Sequence, residues 1–88
     1  MRIITARIVA EKLSAYLGGK LKLTELVDWA EDAMMDAEFE EQNLAALREI
    51  VGRLGVADMK AFGLTWEDCQ RFLNQLGYTV RVEVIAAN

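Results

Sequence analysis

Lys22-Leu23-Thr24-Glu25-Leu26-Val27-Asp28-Trp29-Ala30-Glu31-Asp32-Ala33-Met34-Met35-Asp36-Ala37 is the stretch whose reading decides the fold. Leu26, Trp29, Ala30, Ala33, Met34 and Ala37 recur at i, i+3, i+4, i+7, i+8 and i+11, the spacing that lines one side of a 3.6-residue helix. Glu25, Asp28, Asp32 and Asp36 recur at i, i+3, i+7 and i+11 and line another side. The first stripe is expected to seed a core. The second is the most unusual surface the chain offers. Thr24 is the expected N-cap, its hydroxyl accepting from an orphan amide, with Glu25 and Asp28 in the first turn where the helix dipole favours negative charge.

Before this helix, Ile8, Val9, Leu13, Tyr16 and Leu17 form an apolar stripe, and Gly18-Gly19 supplies a left-handed stop, so a first helix is expected over roughly 5–17. Met1 to Thr5 is too short for its period to decide between helix and strand. After the central helix the signal fades at Ala37-Glu38-Phe39. Glu40 to Asn43 then opens a third helix, with Leu44, Leu47, Ile50, Val51 and Leu54 at helical spacing and Gly55 as its stop. Gly52, which disfavours helix by about 1 kcal/mol relative to alanine, suggests close packing against a neighbour. Val56 to Gly63 reads as a single connecting helical turn.

Thr65-Trp66-Glu67-Asp68 has the form of a capping box, and Cys69, Phe72, Leu73 and Leu76 give a fourth amphipathic helix ended by Gly77. The period then changes from 3.6 to two. Tyr78, Val80, Val82 and Val84 alternate with Thr79, Arg81, Glu83 and Ile85, a β-strand pattern rich in branched residues. A lone strand leaves its backbone groups without partners. Either it pairs with the N-terminal segment, or strand 78–86 pairs with its copy in a symmetric homodimer. The dimer is favoured because the strand outruns the N-terminal segment.

The 88 residues make one domain, 1–88, since a chain this short buries only about 60–65% of its unfolded surface and has no core to divide. An apolar fraction of 53% argues against disorder. No apolar run approaches the roughly 20 residues of a membrane span. Arg7, Glu11 and Lys12 interrupt any secretory apolar region. A single cysteine permits no internal disulfide, which suits a reducing cytoplasm. The net charge of −4 conceals an asymmetry: residues 1–22 carry five basic and one acidic side chain, residues 23–47 eight acidic and no basic, and residues 48–88 five of each. That balance disfavours binding to phosphate backbones and suits a basic partner.

Glu25, Asp28, Asp32 and Asp36 on a straight helix face cannot wrap a hard cation, which wants six or more oxygens, so no metal is expected there. They suit recognition of a basic protein, against the plainer reading of a solvated face. Cys69 sits on an apolar stripe with no histidine anywhere in the chain to activate it, so a buried structural thiol is expected. Trp29 and Trp66 read as core anchors, Trp66 with the option of half-exposure. Phe39, among Glu38, Glu40 and Glu41, reads as a loop residue tucked under. No phosphate-cradling glycine loop, metal-ligand spacing or nucleophile elbow occurs, so neither enzyme nor cofactor chemistry is expected.

Leu21-Lys22-Leu23-Thr24-Glu25-Leu26-Val27-Asp28-Trp29-Ala30-Glu31, together with Leu64-Thr65-Trp66-Glu67-Asp68-Cys69, resembles small uncharacterised bacterial helical proteins that share a Leu-Val-x-Trp-Ala helix. In helix number, size and charge the chain also resembles the colicin-type immunity proteins, acidic four-helix domains that neutralise a toxin through an acidic surface. It differs from them in carrying Phe62 alone where that family has paired tyrosines, and in its terminal strand. The expectation is a mostly α protein, a small four-helix bundle with a connecting turn and one C-terminal β-strand. Its expected function is that of a non-catalytic cytoplasmic interaction module, of inhibitor or antitoxin type, using Glu25, Asp28, Asp32 and Asp36. The alternative is a helix-turn-helix DNA binder reading through residues 66–76, where Arg71 stands against Glu67 and Asp68.

Overall fold

The computed structural model describes residues 2–87; Met1, the first residue of the N-terminal segment left undecided above, lies outside them. Four α-helices dominate the chain: α1 (Ala6–Leu17), α2 (Leu23–Asp36), α3 (Leu44–Leu54) and α4 (Trp66–Gln75). Local chemistry sets most of their ends. Thr5 caps α1, its Oγ1 accepting from the Ile8 N–H at 3.2 Å. At the other end Gly19 takes φ +78, Lys20 N–H donates to the Ala15 carbonyl at 2.9 Å, and Gly19 N–H donates to Tyr16 at 3.1 Å. This paired closure, the Schellman motif, satisfies carbonyls that a helix end otherwise leaves free.

The same closure ends α4. Gly77 takes φ +92, Tyr78 N–H reaches the Leu73 carbonyl at 2.9 Å, and Gly77 N–H reaches Asn74 at 3.1 Å. The capping box at the start of α4 forms as expected: Asp68 N–H donates to Thr65 Oγ1 at 3.1 Å, and Thr65 N–H donates back to the Asp68 carboxylate at 3.0 Å. Two other expected ends differ. Lys22, not Thr24, is the N-cap of α2, because the Glu25 carboxylate accepts from the Lys22 N–H at 2.9 Å and starts the helix two residues earlier. Gly55 ends α3 in a right-handed conformation, φ −65, and the chain runs on in turns rather than stopping on a left-handed residue.

Two very short strands tie the first half of the chain together. β1 (Ile3–Ile4) pairs in parallel with β2 (Glu38–Phe39), Ile3 opposite Glu38 and Ile4 opposite Phe39. Glu38 N–H donates to the Arg2 carbonyl at 2.9 Å and Glu40 N–H to Ile4 at 3.0 Å. The α1–α2 pair forms the crossover between them. A 3-10 turn at Glu41–Asn43 leads into α3.

This pairing corrects the expectation for the chain's other end. Residues 78–87 form no strand, and β1 is paired with β2 rather than with them. The alternating pattern is present, but among the described residues no other segment forms a ladder with it. Residues 56–63 likewise form successive turns, closed by Gly63 at φ +67, instead of a helical turn.

The core takes Val9 and Leu13 from α1, Leu26, Ala30 and Ala33 from α2, Leu47, Ile50, Val51 and Leu54 from α3, and Cys69, Phe72 and Leu73 from α4, with Ile4 from β1. Fully burying each large aliphatic contributes about 1.5–3 kcal/mol. The most extensive interface joins α2 to α3, and α4 lies chiefly against α1. Gly52 faces α2 as its place in the sequence suggests, yet a Cβ there would stand 3.9 Å from Met34 Cε, an ordinary contact. Glycine is therefore not required at that position. Met34 and Trp66, both expected in the core, are 47% and 41% exposed, while Trp29 and Phe39 are half-buried against it.

Candidate interaction surface

The acidic face of α2 is assembled by the same residues that shape the helix. Its first member, Glu25, is committed to the helix start through the Lys22 N–H. Asp28, Asp32 and Asp36 are exposed. Among the described residues they enter no side-chain hydrogen bond or ion pair; the ion pairs formed are Arg7–Glu11, Arg53–Asp68, Arg71–Asp68 and Arg81–Glu83. At about 1.5 Å rise per residue the stripe runs about 16 Å along the helix.

Met35 is the residue that the sequence pattern left unassigned. It is 81% exposed. It follows Asp28 by seven residues, Glu31 by four and Asp32 by three, so it stands on the charged face among their carboxylates. The spacing carries that signal, which the apolar stripe through Met34 beside it obscures. Trp29, four residues after Glu25 and three before Asp32, lies half-buried where the acidic stripe meets the core, and carries Lys12 Nζ at 5.6 Å from its ring centroid, a cation–π contact that ties α1 to α2.

Glu40, expected only to open the third helix, joins two elements. Its Oε1 accepts from the Ala6 N–H at 3.2 Å and from Asn43 Nδ2 at 2.9 Å, joining the start of α1 to the turn before α3. Nothing in the local sequence points to Ala6 as its partner.

A second polar cluster binds α3 to α4. Arg53 donates to the Gly63 carbonyl at 2.9 Å and lies 3.6 Å from the Asp68 carboxylate, while Arg71 approaches Asp68 at 3.0 Å. Phe62 lies under the Arg53 guanidinium at 5.3 Å. The Thr65 backbone N–H, the Thr65 hydroxyl and Arg71 together hold the Asp68 carboxyl below its ordinary value of 3.8, against a smaller opposing effect of burial. Each of these groups is used in holding the chain. Cys69, next in sequence, is buried, and desolvation followed by the neighbouring Asp68 charge pushes its thiol up to about 11. It remains a protonated, small hydrophobic group at neutral pH.

An open groove of about 1030 Å³ lies between α1 and the C-terminal segment, lined by Ala10 and Ser14, by Trp66 and Leu73, and by Val80, Arg81 and Val82. It explains why Trp66 is not in the core. Among the described residues no group of three or more His, Cys, Asp or Glu is placed to hold a metal ion, and no helix is long and apolar enough to cross a membrane. No protein-family model, curated protein or solved structure matches the chain.

Proposed function

We propose that this chain is a non-catalytic interaction module of the cytoplasm, carried on a small four-helix bundle, that presents the acidic face of α2 to a basic surface on a protein partner, as an inhibitor or antitoxin-like protein does. The observation that carries this reading is Met35: a methionine 81% exposed among carboxylates that have no cationic partner within the described residues. Exposed methionine adapts to varied apolar surfaces, and a one-sign charge field around it steers a cationic partner into place.

The DNA-binding alternative draws less support. Its recognition helix would be α4, whose Arg71 is engaged by Asp68 at 3.0 Å, and whose first turn carries Glu67 and Asp68.

The test compares affinity capture from lysate of the native host by wild type, by Met35→Ala and by a combined Asp28→Asn, Asp32→Asn, Asp36→Asn variant. All three should be equally helical by circular dichroism. One basic protein recovered by wild type in equal amount and lost by both variants is the expected result. Recovery that is the same for all three would remove the proposal.

A further inference from the structure

We infer that two copies of this chain join through residues 78–86 as an antiparallel two-stranded ribbon whose twofold axis passes through Val82. The first ground is backbone accounting. Beyond the Tyr78 N–H, no backbone hydrogen bond is formed by residues 79–87 among the described residues, although their sequence has the alternation of a strand. The one strand pair of the fold already uses β1 and β2 on each other.

Charge complementarity supplies the register. Val80 packs against the core, and in the paired strand Tyr78, Val82 and Val84 would share its face while Thr79, Arg81, Glu83 and Ile85 would share the other. In an antiparallel pair, opposed residues share a face, and a slip of one residue would mix the two faces. Among registers that keep the faces apart, centring on Val82 sets Arg81 opposite Glu83 of the second copy, and Glu83 opposite its Arg81. Moving the centre to Arg81 or to Glu83 opposes like charges, which destabilises a strand pair. In one copy alone, Arg81 and Glu83 meet only each other within the terminal segment, 3.7 Å apart with side chains 85% and 69% exposed.

The same register accounts for the exposed valines and for the groove. Val84 is 95% exposed in one copy. Centred on Val82, Val84 of the second copy stands beside Val80 and faces the wall formed by α1, Trp66 and Leu73. Each copy thus places its own most exposed valine in the groove of the other. Tyr78 is opposed by Ala86, whose small side chain leaves room for the ring.

Sedimentation equilibrium on the full chain tests the association. Wild type should show a concentration-dependent dimer. Arg81→Glu and Glu83→Arg should each weaken it tenfold or more, and the two changes in one chain should restore it, because the cross-strand pairs are then reversed rather than lost. Oxidative crosslinking tests the register independently of those charges. Directly opposed Cα atoms lie about 4.5–5.5 Å apart, within disulfide range, so Val82→Cys should crosslink readily. Val84 is offset from its own copy by four residues, about 14 Å, so Val84→Cys should not. Buried Cys69 leaves the introduced thiol as the accessible one. A monomer at every concentration, a double variant no better than the single ones, or equal crosslinking at both positions would each overturn the inference.

Discussion

Replacing Glu40 tests whether the first helix is held from outside its own sequence. The carboxylate accepts from the Ala6 N–H at 3.2 Å and from Asn43 Nδ2 at 2.9 Å, at a half-buried site. A hydrogen bond to a charged acceptor contributes about 1.5–3 kcal/mol, and loss of a helix cap about 0.5–2 kcal/mol. Thr5 still caps Ile8 in the variant, and water reaches a site that is only partly covered, so Glu40→Ala should lose about 1–2 kcal/mol. Urea unfolding followed by circular dichroism would read this as a lower midpoint at unchanged slope, and thermal unfolding as a fall of about 4 °C or more. Glu40→Gln keeps an acceptor but gives up the charge facing the helix dipole, and should recover about half of the loss. Exposed Glu41, whose side chain forms no hydrogen bond among the described residues, is the control. Equal midpoints for Glu40→Ala and Glu41→Ala would refute the argument.

Gly52→Ala should stabilise the protein by about 0.5–1 kcal/mol, since the position is helical, the new methyl meets only Met34 Cε at 3.9 Å, and alanine removes glycine's entropic penalty; a lowered urea midpoint would show α2 and α3 to be packed more closely than described. Asp68 makes stability depend on acid. Its folded value lies below 3.8, so its contribution is complete well above pH 3.8 and is lost as pH falls through the folded value. The gap in urea midpoint between wild type and Asp68→Asn should therefore be widest near neutrality and close below pH 3.8, and a gap constant down to pH 2.5 would contradict the assignment.

What could be read in the sequence divides along the range of the interactions. The four helices, the Thr65–Asp68 box and the glycine closures at Gly19 and Gly77 depend on neighbours within a turn or two, and each left a mark in composition or spacing. The β1–β2 pair left none. Two residues per strand are too few to show a period, and their partners lie 35 positions apart. Glu40 escaped notice for the same reason, its partner Ala6 being 34 residues away. The terminal segment shows the opposite case, a strong strand pattern that pairs with nothing among the described residues. On α2 the acidic face was legible from spacing, and so was the place of Met35 between Asp28 and Glu31; its 81% exposure was not, because no local pattern shows which side of the helix the other elements leave uncovered.

The two-residue pairing of Ile3–Ile4 with Glu38–Phe39 also bears on the order in which the chain folds. Bringing its ends together closes a loop of more than 30 residues, at an entropic cost of about 3 kcal/mol or more. The few backbone hydrogen bonds of so short a ladder return only about 1 kcal/mol each, which at most offsets that cost, so this clasp does not lead. The helices end in closures that need no distant partner, and α1 and α2 can associate as a local hairpin. Once they have done so the loop is already nearly closed, and the pairing, with Glu40 reaching Ala6 beside it, becomes favourable. The clasp is thus a late latch on a structure assembled without it, and the first part of the fold to release when that structure loosens.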